Sequence, residues 1–423
     1  MGKVMMRHAS LAMLLASALA VPAFAAPDDK ARSAVVVTGL RLSESERALK
    51  ECVARKCPVD EDVAATLRHA ENLFVAGRYQ QARNTLFAGR DRTRRFAKTY
   101  PVPVSNVTRA IATVSAHLGE GEAYQLSSID TLDVLKAGLP RDDARVLGAR
   151  IELANAYARL GRFEAAEEAY RAVARRAKEV GLLQVQGLAE LRLAVLYGGY
   201  AENDPARYRA GEEAALAAIL TNSDPRYRVF VQAARVLQAR RQLRRGDTKA
   251  FDAVLADLRR DGATERPVLV YAPPIPSIRD SARGAYQSDD NRANGNPFGI
   301  GVSVINEYAR LPLRLYDDQW VDVSFYVAPD GHVTDVGILR GSGKLESEDW
   351  VKPILGSIAL RRYLPLNRDA TDPGILRVER YTLTSLMEAR IGTRIRQRGP
   401  EPRIETLDLS IDPAPPEPSK GSI

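Results

Sequence analysis

From Asp60 to about Arg260, apolar residues return at helical spacing inside Ala-, Leu- and Arg-rich segments that short Gly or Pro turns interrupt. A run of that length leaves little room for a large sheet and predicts antiparallel helices stacked in sequence. One unit recurs within it. In LANAYARLGRFEAAEEAYRAV, Leu153, Ala154 and Tyr157 lie on one face of a first helix and Gly161 turns the chain. Phe163 packs into the turn, and Ala166 and Tyr170 continue on a second helix. AENLFVAGRYQQARNTL repeats the order through Ala70, Leu73, Gly77, Tyr79, Ala82 and Leu86. A fainter copy runs through Ala239, Gly246, Phe251 and Leu255.

These positions resemble the tetratricopeptide pattern, although Val173 stands where that pattern prefers Ala. The pattern has a physical basis: small residues let paired helices approach closely, and each pair buries its face only against the next. The resemblance implies a groove, the usual place for a peptide or protein partner. A plain helical scaffold without a ligand fits the same residues.

The first 25 residues have another character. Lys3 and Arg7 precede a mostly apolar run from Leu11 to Val21, and Ala23-Phe24-Ala25 sets small residues at the two positions a signal peptidase requires. This reads as a secretory signal. The run is short for a membrane span and Pro22 closes it, with an uncleaved anchor as the alternative. Without Lys3 and Arg7 the formal net charge falls from +8 to +6. The basic residues are scattered among acidic ones, so solvated helix faces are expected and no nucleic-acid partner.

Secretion gives the two cysteines their meaning. Cys52 and Cys57, in ECVARKCPVDED, are expected to form a disulfide in an oxidising compartment. On one continuous helix they would stand too far apart to bridge, so the helix must end between them, helped by Pro58. Asp60, Glu61 and Asp62 then fall at the positive end of the next helix.

After residues 267–299, rich in Pro, Gly, Asn and Asp, the pattern changes to period two. Val321, Val323, Phe325 and Val327 alternate with Asp322, Ser324 and Tyr326, the mark of a half-buried strand. Pro329-Asp330-Gly331 is a turn, and a return strand runs Val333 to Leu339 with a bulge between Val333 and Val336. A helix from about Trp350 carries Ile354, Leu355 and Ile358 toward the sheet, RRYLPL ends it, and a third strand spans Ile375 to Met387. Arg403 to Ile411 adds a further candidate strand, and VLVY before the Pro-rich stretch a short one.

The order strand, PDG turn, strand, helix, aromatic-x-Pro, strand resembles the C-terminal domain of TonB-family energy transducers over about Asp317 to Ala389. The carriers are FYVAPDGHVTDVGILRGSG, Tyr363-Leu364-Pro365 and RVERYTLT. That resemblance implies a periplasmic domain that takes up an extended peptide, in the family the box of an outer-membrane transporter, as an added strand. Alternate side chains of the third strand, Val378, Arg380 and Thr382, would then be the peptide-binding residues. Near the other end, SAVVVTGLR resembles such a box through Val35, Val36, Val37 and Thr38, with Gly39 and Arg41. That strand either pairs with the chain's own sheet, is offered to another TonB-like domain, or is a leader before a helix capped by Ser43 and Glu46 as S-x-x-E.

Chemistry leaves few marks. His69, His117 and His332 share no ligand spacing with other donors, and no phosphate-cradling loop, nucleophile elbow or dinucleotide fingerprint occurs. No enzyme, cofactor or metal is expected. The expected architecture is multidomain, an all-α tetratricopeptide-like array followed by a small α+β (β-β-α-β) TonB-C-like domain. Its divisions are a signal (1–25), a box-like segment (26–42), the array (43–262), a linker (263–316), the C-terminal domain (317–411) and a disordered tail (412–423). The expected function is a periplasmic, non-enzymatic binding or adaptor protein. Its partner would be an envelope protein or extended peptide, with an outer-membrane transporter as one candidate, and no membrane span would remain after signal cleavage. A membrane-anchored TonB-type transducer supporting outer-membrane transport is the alternative.

Overall fold

The computed structural model describes residues 41–244, 248–260, 264–275, 319–342, 350–389 and 396–410. The signal, the box-like residues Val35, Val36, Val37 and Thr38, most of the linker and the tail lie outside the described residues. Helices come first, as the periodicity predicts: α1 (Leu42–Ala54), α2 (Val59–Val75), α3 (Tyr79–Thr93), α4 (Pro101–His117), α5 (Gly121–Gly138) and α6 (Ala144–Arg159). They continue through α7 (Phe163–Glu179), α8 (Leu183–Ala201), α9 (Pro205–Leu220), α10 (Arg228–Arg244) and α11 (Thr248–Arg260).

The turns between paired helices share one device. Gly77, Gly119 and Gly161 follow α2, α4 and α6 with φ of 77°, 73° and 73°. In each, the next residue's amide reaches back five residues, as Arg78 does to Leu73, Glu120 to Ser115 and Arg162 to Tyr157. This closes the helix with a left-handed residue that only glycine adopts without strain. Ala82, Ala154 and Ala166 are fully buried, which is the close approach the small residues were expected to serve. The fainter copy places Ala239 and Phe251 in the core, while its turn at Gly246 lies outside the described residues.

At the start of the array α1 ends at Ala54, Lys56 takes φ 54°, and Cys52 and Cys57 are joined with their Cα atoms 5.1 Å apart. Asp60, Glu61 and Asp62 occupy the first turn of α2. The expected Ser43 cap is corrected: the helix begins two residues earlier, at Leu42 with Arg41 as its cap, and Glu44 accepts the Arg41 amide at 3.3 Å. Ser43 therefore lies inside the first turn, past the position where its hydroxyl would cap.

Beyond the array stand β1 (Leu269–Tyr271), β2 (Trp320–Val327), β3 (Val333–Gly341), α12 (Val351–Ala359), β4 (Arg362–Tyr363), β5 (Ile375–Ala389) and β6 (Arg396–Asp408). A small, mainly antiparallel sheet region thus follows a mostly helical chain. Four strands order as β3-β2-β5-β6, all antiparallel, so β5 is interior and β3 and β6 are the outer strands. The expected bulge is present, with Asp335 at φ 51° where the β2–β3 register shifts between Ser324 and Tyr326. A second shift falls between Asp322 and Val323. Trp350 precedes α12 and Pro353 sits in its first turn, where no internal amide donor is needed. Val321, Val323, Phe325 and Val327 pack with Ile354, Ile358 and Tyr381 on that side of the sheet.

The linker boundary needs correction. β1 pairs antiparallel with β4, and Thr264 bridges to Leu366, so residues 264–275 belong to the C-terminal unit. Leu258 of α11, Val270 of β1 and Leu364 form one small apolar cluster, and Arg240 Nε donates to the Val270 carbonyl at 2.6 Å. No helix among the described residues is long and apolar enough to cross a membrane.

Candidate functional site

Period two sends Trp320, Asp322 and Ser324 of β2 to the sheet face opposite α12. Register adds Val378, Arg380 and Thr382 of β5, which pair with Ser324, Asp322 and Trp320. From β6 come Arg403, Glu405 and Leu407, opposite Thr384, Thr382 and Arg380. The three residues expected to bind peptide do share one face. That face rests on the chain's own helical array.

Arg380 is fully buried. Its Nε and Nη2 reach the two oxygens of Asp322 at 2.6 and 2.8 Å, and Asp322 is equally buried. The remaining donors go to the end of α2: Nη1 to the Phe74 carbonyl at 2.6 Å and Nη2 to the Val75 carbonyl at 2.8 Å. The Trp320 ring covers the guanidinium, 3.7 Å from its carbon, and the indole stands against Gly77. A Cβ on Gly77 would meet Trp320 Nε1 at 2.2 Å, so glycine serves the turn and the approach together.

The same contact recurs along the array. Helices leave their last carbonyls without internal donors and carry partial negative charge there. Arg398 Nη1 donates to Leu118, just past α4, at 3.3 Å, and Arg403 Nη2 donates to Arg159, at the end of α6, at 2.9 Å. Three arginines of one sheet therefore cap the C-terminal ends of α2, α4 and α6. Backbone contact accompanies them: the Met387 amide donates to the Gly119 carbonyl at 2.8 Å. Charge pairs Arg159 with Glu405 and Arg396 with Glu122 close the margin.

Between the first two caps lies a small polar cluster. The Thr382 hydroxyl is 2.9 Å from the Tyr79 hydroxyl and 2.8 Å from His117 Nδ1. Phe74 stacks on Tyr79 and meets His117 edge-on. Burial, with the charges of Arg159 and Arg380 nearby, pushes the His117 imidazole down to about 3. Burial also raises the Tyr79 hydroxyl. Each group is neutral and hydrogen-bonded, an arrangement for adhesion with no nucleophile or proton relay aimed at open space.

The site residues now have definite places. Strand addition along Val378, Arg380 and Thr382 is corrected: β2 and β6 occupy both edges of β5, the array meets Arg380 and Thr382, and Val378 is buried. Asp322 had read as one of the polar alternates of a half-buried strand, but its carboxylate sits between Arg380 and Arg340, the latter at 2.7 Å. Sequence reasoning gave Arg398 and Arg403 no role, and it read His117 only as a histidine without ligand spacing. An isolated arginine carries no local signal that its partner is a helix end elsewhere in the chain. Among the described residues the one group with metal-ligand proximity is Cys52, Cys57 and Glu61, and its cysteines are joined, leaving no thiolate.

No protein-family model and no curated protein matches this chain. One solved structure that matches is the crystal structure of BtubC (BKLC) from P. vanneervenii, 17% identical with a TM-score of 0.38, over 62% of this chain and 95% of that one. A likeness of that size carries no argument.

Proposed function

We propose that the chain is a non-enzymatic binding or adaptor protein of the bacterial envelope, exported to the periplasm, whose helical array engages a peptide or protein partner. In this reading the C-terminal sheet braces the array, and any strand addition is confined to the outer strands β3 and β6. The observation that carries the reading is the contrast between two faces. The sheet face with the expected peptide-binding residues is closed against α2, α4 and α6. The stripe on α4 and α6 holding Asn106, Arg109, Glu152 and Asn155 stays exposed or half-buried, and a Cβ on Gly148 would meet nothing within 4 Å. Arg109 Nε holds Glu152 at 3.0 Å across the two helices, fixing polar groups on a surface that packing alone does not require.

Site-specific photo-crosslinking in cells tests this. p-Benzoylphenylalanine in place of Asn106, on the stripe, is expected to capture a discrete envelope partner. The same group in place of the exposed Glu168, on the outward helix α7, is expected to capture none. Equal labelling from both positions, or none from Asn106 and from Ile338 of β3, refutes a partner-binding role. Fractionation of the same cells separates a soluble adaptor from the anchored transducer, which would be found only in inner membranes with its N-terminus intact.

A further inference from the structure

One histidine sits in the middle of the contact between sheet and array. His117, the last residue of α4, is buried, and its Nδ1 lies 2.8 Å from the Thr382 hydroxyl of β5. The groups packed around it offer no place for a further positive charge. α2 brings the Phe74 ring and α3 brings Tyr79, whose hydroxyl also meets Thr382. Arg380 of β5 stands over that same Phe74 ring and donates to the Phe74 carbonyl. From β6, Glu405 lies opposite Thr382, and Arg159 at the end of α6 pairs with it. Arg398 of β6 donates to Leu118, the next residue along the chain.

The carboxylates in this region are committed to arginines: Asp322 to Arg380 and Arg340, Glu405 to Arg159, and Glu120 to Arg83. The charges that act on the imidazole are those of Arg159 and Arg380, both positive, and together with burial they hold it neutral. A second feature weakens the same contact. Around the turn at Gly119, which stands against the Ser385 carbonyl, Arg83 Nε, Ser115 Oγ, Glu120 Oε2 and Ser385 Oγ are buried without hydrogen-bond partners. Buried polar atoms left unpaired favour an open state in which water reaches them. Each side also keeps a core of its own: Leu147, Tyr170 and Tyr227 lie within the array, and Phe325, Ile354 and Tyr381 between sheet and α12.

We propose that this contact is an acid-released latch, in which protonation of His117 undocks the C-terminal sheet from α2, α4 and α6 while array and sheet each stay folded. In the docked state an imidazolium would be a buried cation beside two arginines; undocking gives it to water. The open form therefore binds the proton more tightly, and opening rises as pH falls below the ordinary histidine value. Undocking bares Trp320, Arg380 and Thr382 and frees the last carbonyls of the three helices. The latch does not depend on whether a partner occupies the stripe of α4 and α6.

Hydrogen exchange on the full chain tests this at the Met387 amide, which donates to the Gly119 carbonyl across the contact. Rates divided by the intrinsic rate at each pH give the opening constant. With His117 at about 3 when docked and 6.5 when free, that constant should rise about thirty-fold from pH 7.5 to pH 5.0, a window above the ordinary carboxylate range. The amides of Leu193 in α8 and Phe325 in β2 should keep their protection. His117→Gln, polar but without a titration, should abolish the rise at Met387. A rise below about three-fold, an equal rise in His117→Gln, or a parallel rise at Leu193 and Phe325 would each overturn the latch, the last because the whole chain would then be unfolding. Should His117→Gln fail to fold, the ring resonances of His117 decide between the outcomes. A ring still neutral at pH 5.0 while Met387 exchange climbs supports the latch, and a protonated ring with Met387 still protected overturns it.

Discussion

Replacing Arg380 by Met keeps most of the aliphatic bulk while removing the fork that joins sheet and array. Three consequences follow from the geometry. Asp322 stays buried with only Arg340, whose side chain is 34% exposed and so a weaker partner. The Phe74 and Val75 carbonyls lose their donors at the end of α2, and Trp320 loses the cation stacked on it. Removing one member of a buried pair costs about 3–5 kcal/mol, mostly from the charge left behind. We expect about 4 kcal/mol for Arg380→Met, read as a fall in the urea midpoint at constant slope. Adding Asp322→Asn removes the stranded charge and should recover roughly half of the loss, since the two carbonyls stay uncapped. Undocking should also speed hydrogen exchange at the Met387 amide, which donates to Gly119 across the interface. A loss below about 1 kcal/mol, or a double variant less stable than the single one, would falsify the capping argument.

Further outcomes are expected at other contacts. His117 is buried neutral with its folded pKa near 3, against about 6.5 unfolded, so its contribution is complete above pH 6.5 and lost as pH falls toward 3. Between pH 7 and pH 5 this amounts to about 2 kcal/mol, and His117→Gln should flatten that part of the stability profile. Gly119 and Gly181 have similar φ, but a Cβ at Gly119 would meet the Ser385 carbonyl at 1.9 Å while one at Gly181 would meet nothing within 4 Å. Gly181→Ala should therefore cost about 1 kcal/mol of backbone strain and Gly119→Ala clearly more, the difference measuring the dock by chemical denaturation. The Cys52–Cys57 disulfide closes so small a loop that reducing it should remove about 2 kcal/mol at most, seen as faster exchange confined to α1 and the start of α2.

What was legible in the sequence follows from the range of each interaction. Gly77 and Gly161, each with an aromatic residue two positions on, announced two of the helix turns because a turn is local. The turn at Gly119 was missed: the following aromatic is Tyr124, five residues on, and Gly121 opens α5 in place of an aromatic. Period two placed the strands, the PDG turn and the bulge near Asp335, and it put Val378, Arg380 and Thr382 on one face. The occupant of that face was beyond reach, since Arg380 and Phe74 are 306 residues apart in the chain. A polar residue on an alternating strand looks the same in sequence whether water or a helix end satisfies it.

The position of the sheet constrains where a partner can act. In a strand-capturing domain an open edge and the side chains along it work together, backbone bonds giving affinity and alternate residues giving selectivity. Here α12 covers one face and the array covers the other, leaving only the outer strands. β3 carries two register shifts within nine residues, and such bulges hinder the flat pairing that an added strand requires. The three arginine caps also tie the sheet to the spacing of successive helix pairs: Arg380, Arg398 and Arg403 meet α2, α4 and α6 only while those pairs keep their stacking. A ligand that altered the pitch of the first three pairs would therefore act against the caps, and loss of the caps would free that pitch. By linkage, a partner held on the stripe of α4 and α6 that changed this pitch would act on the sheet without touching it.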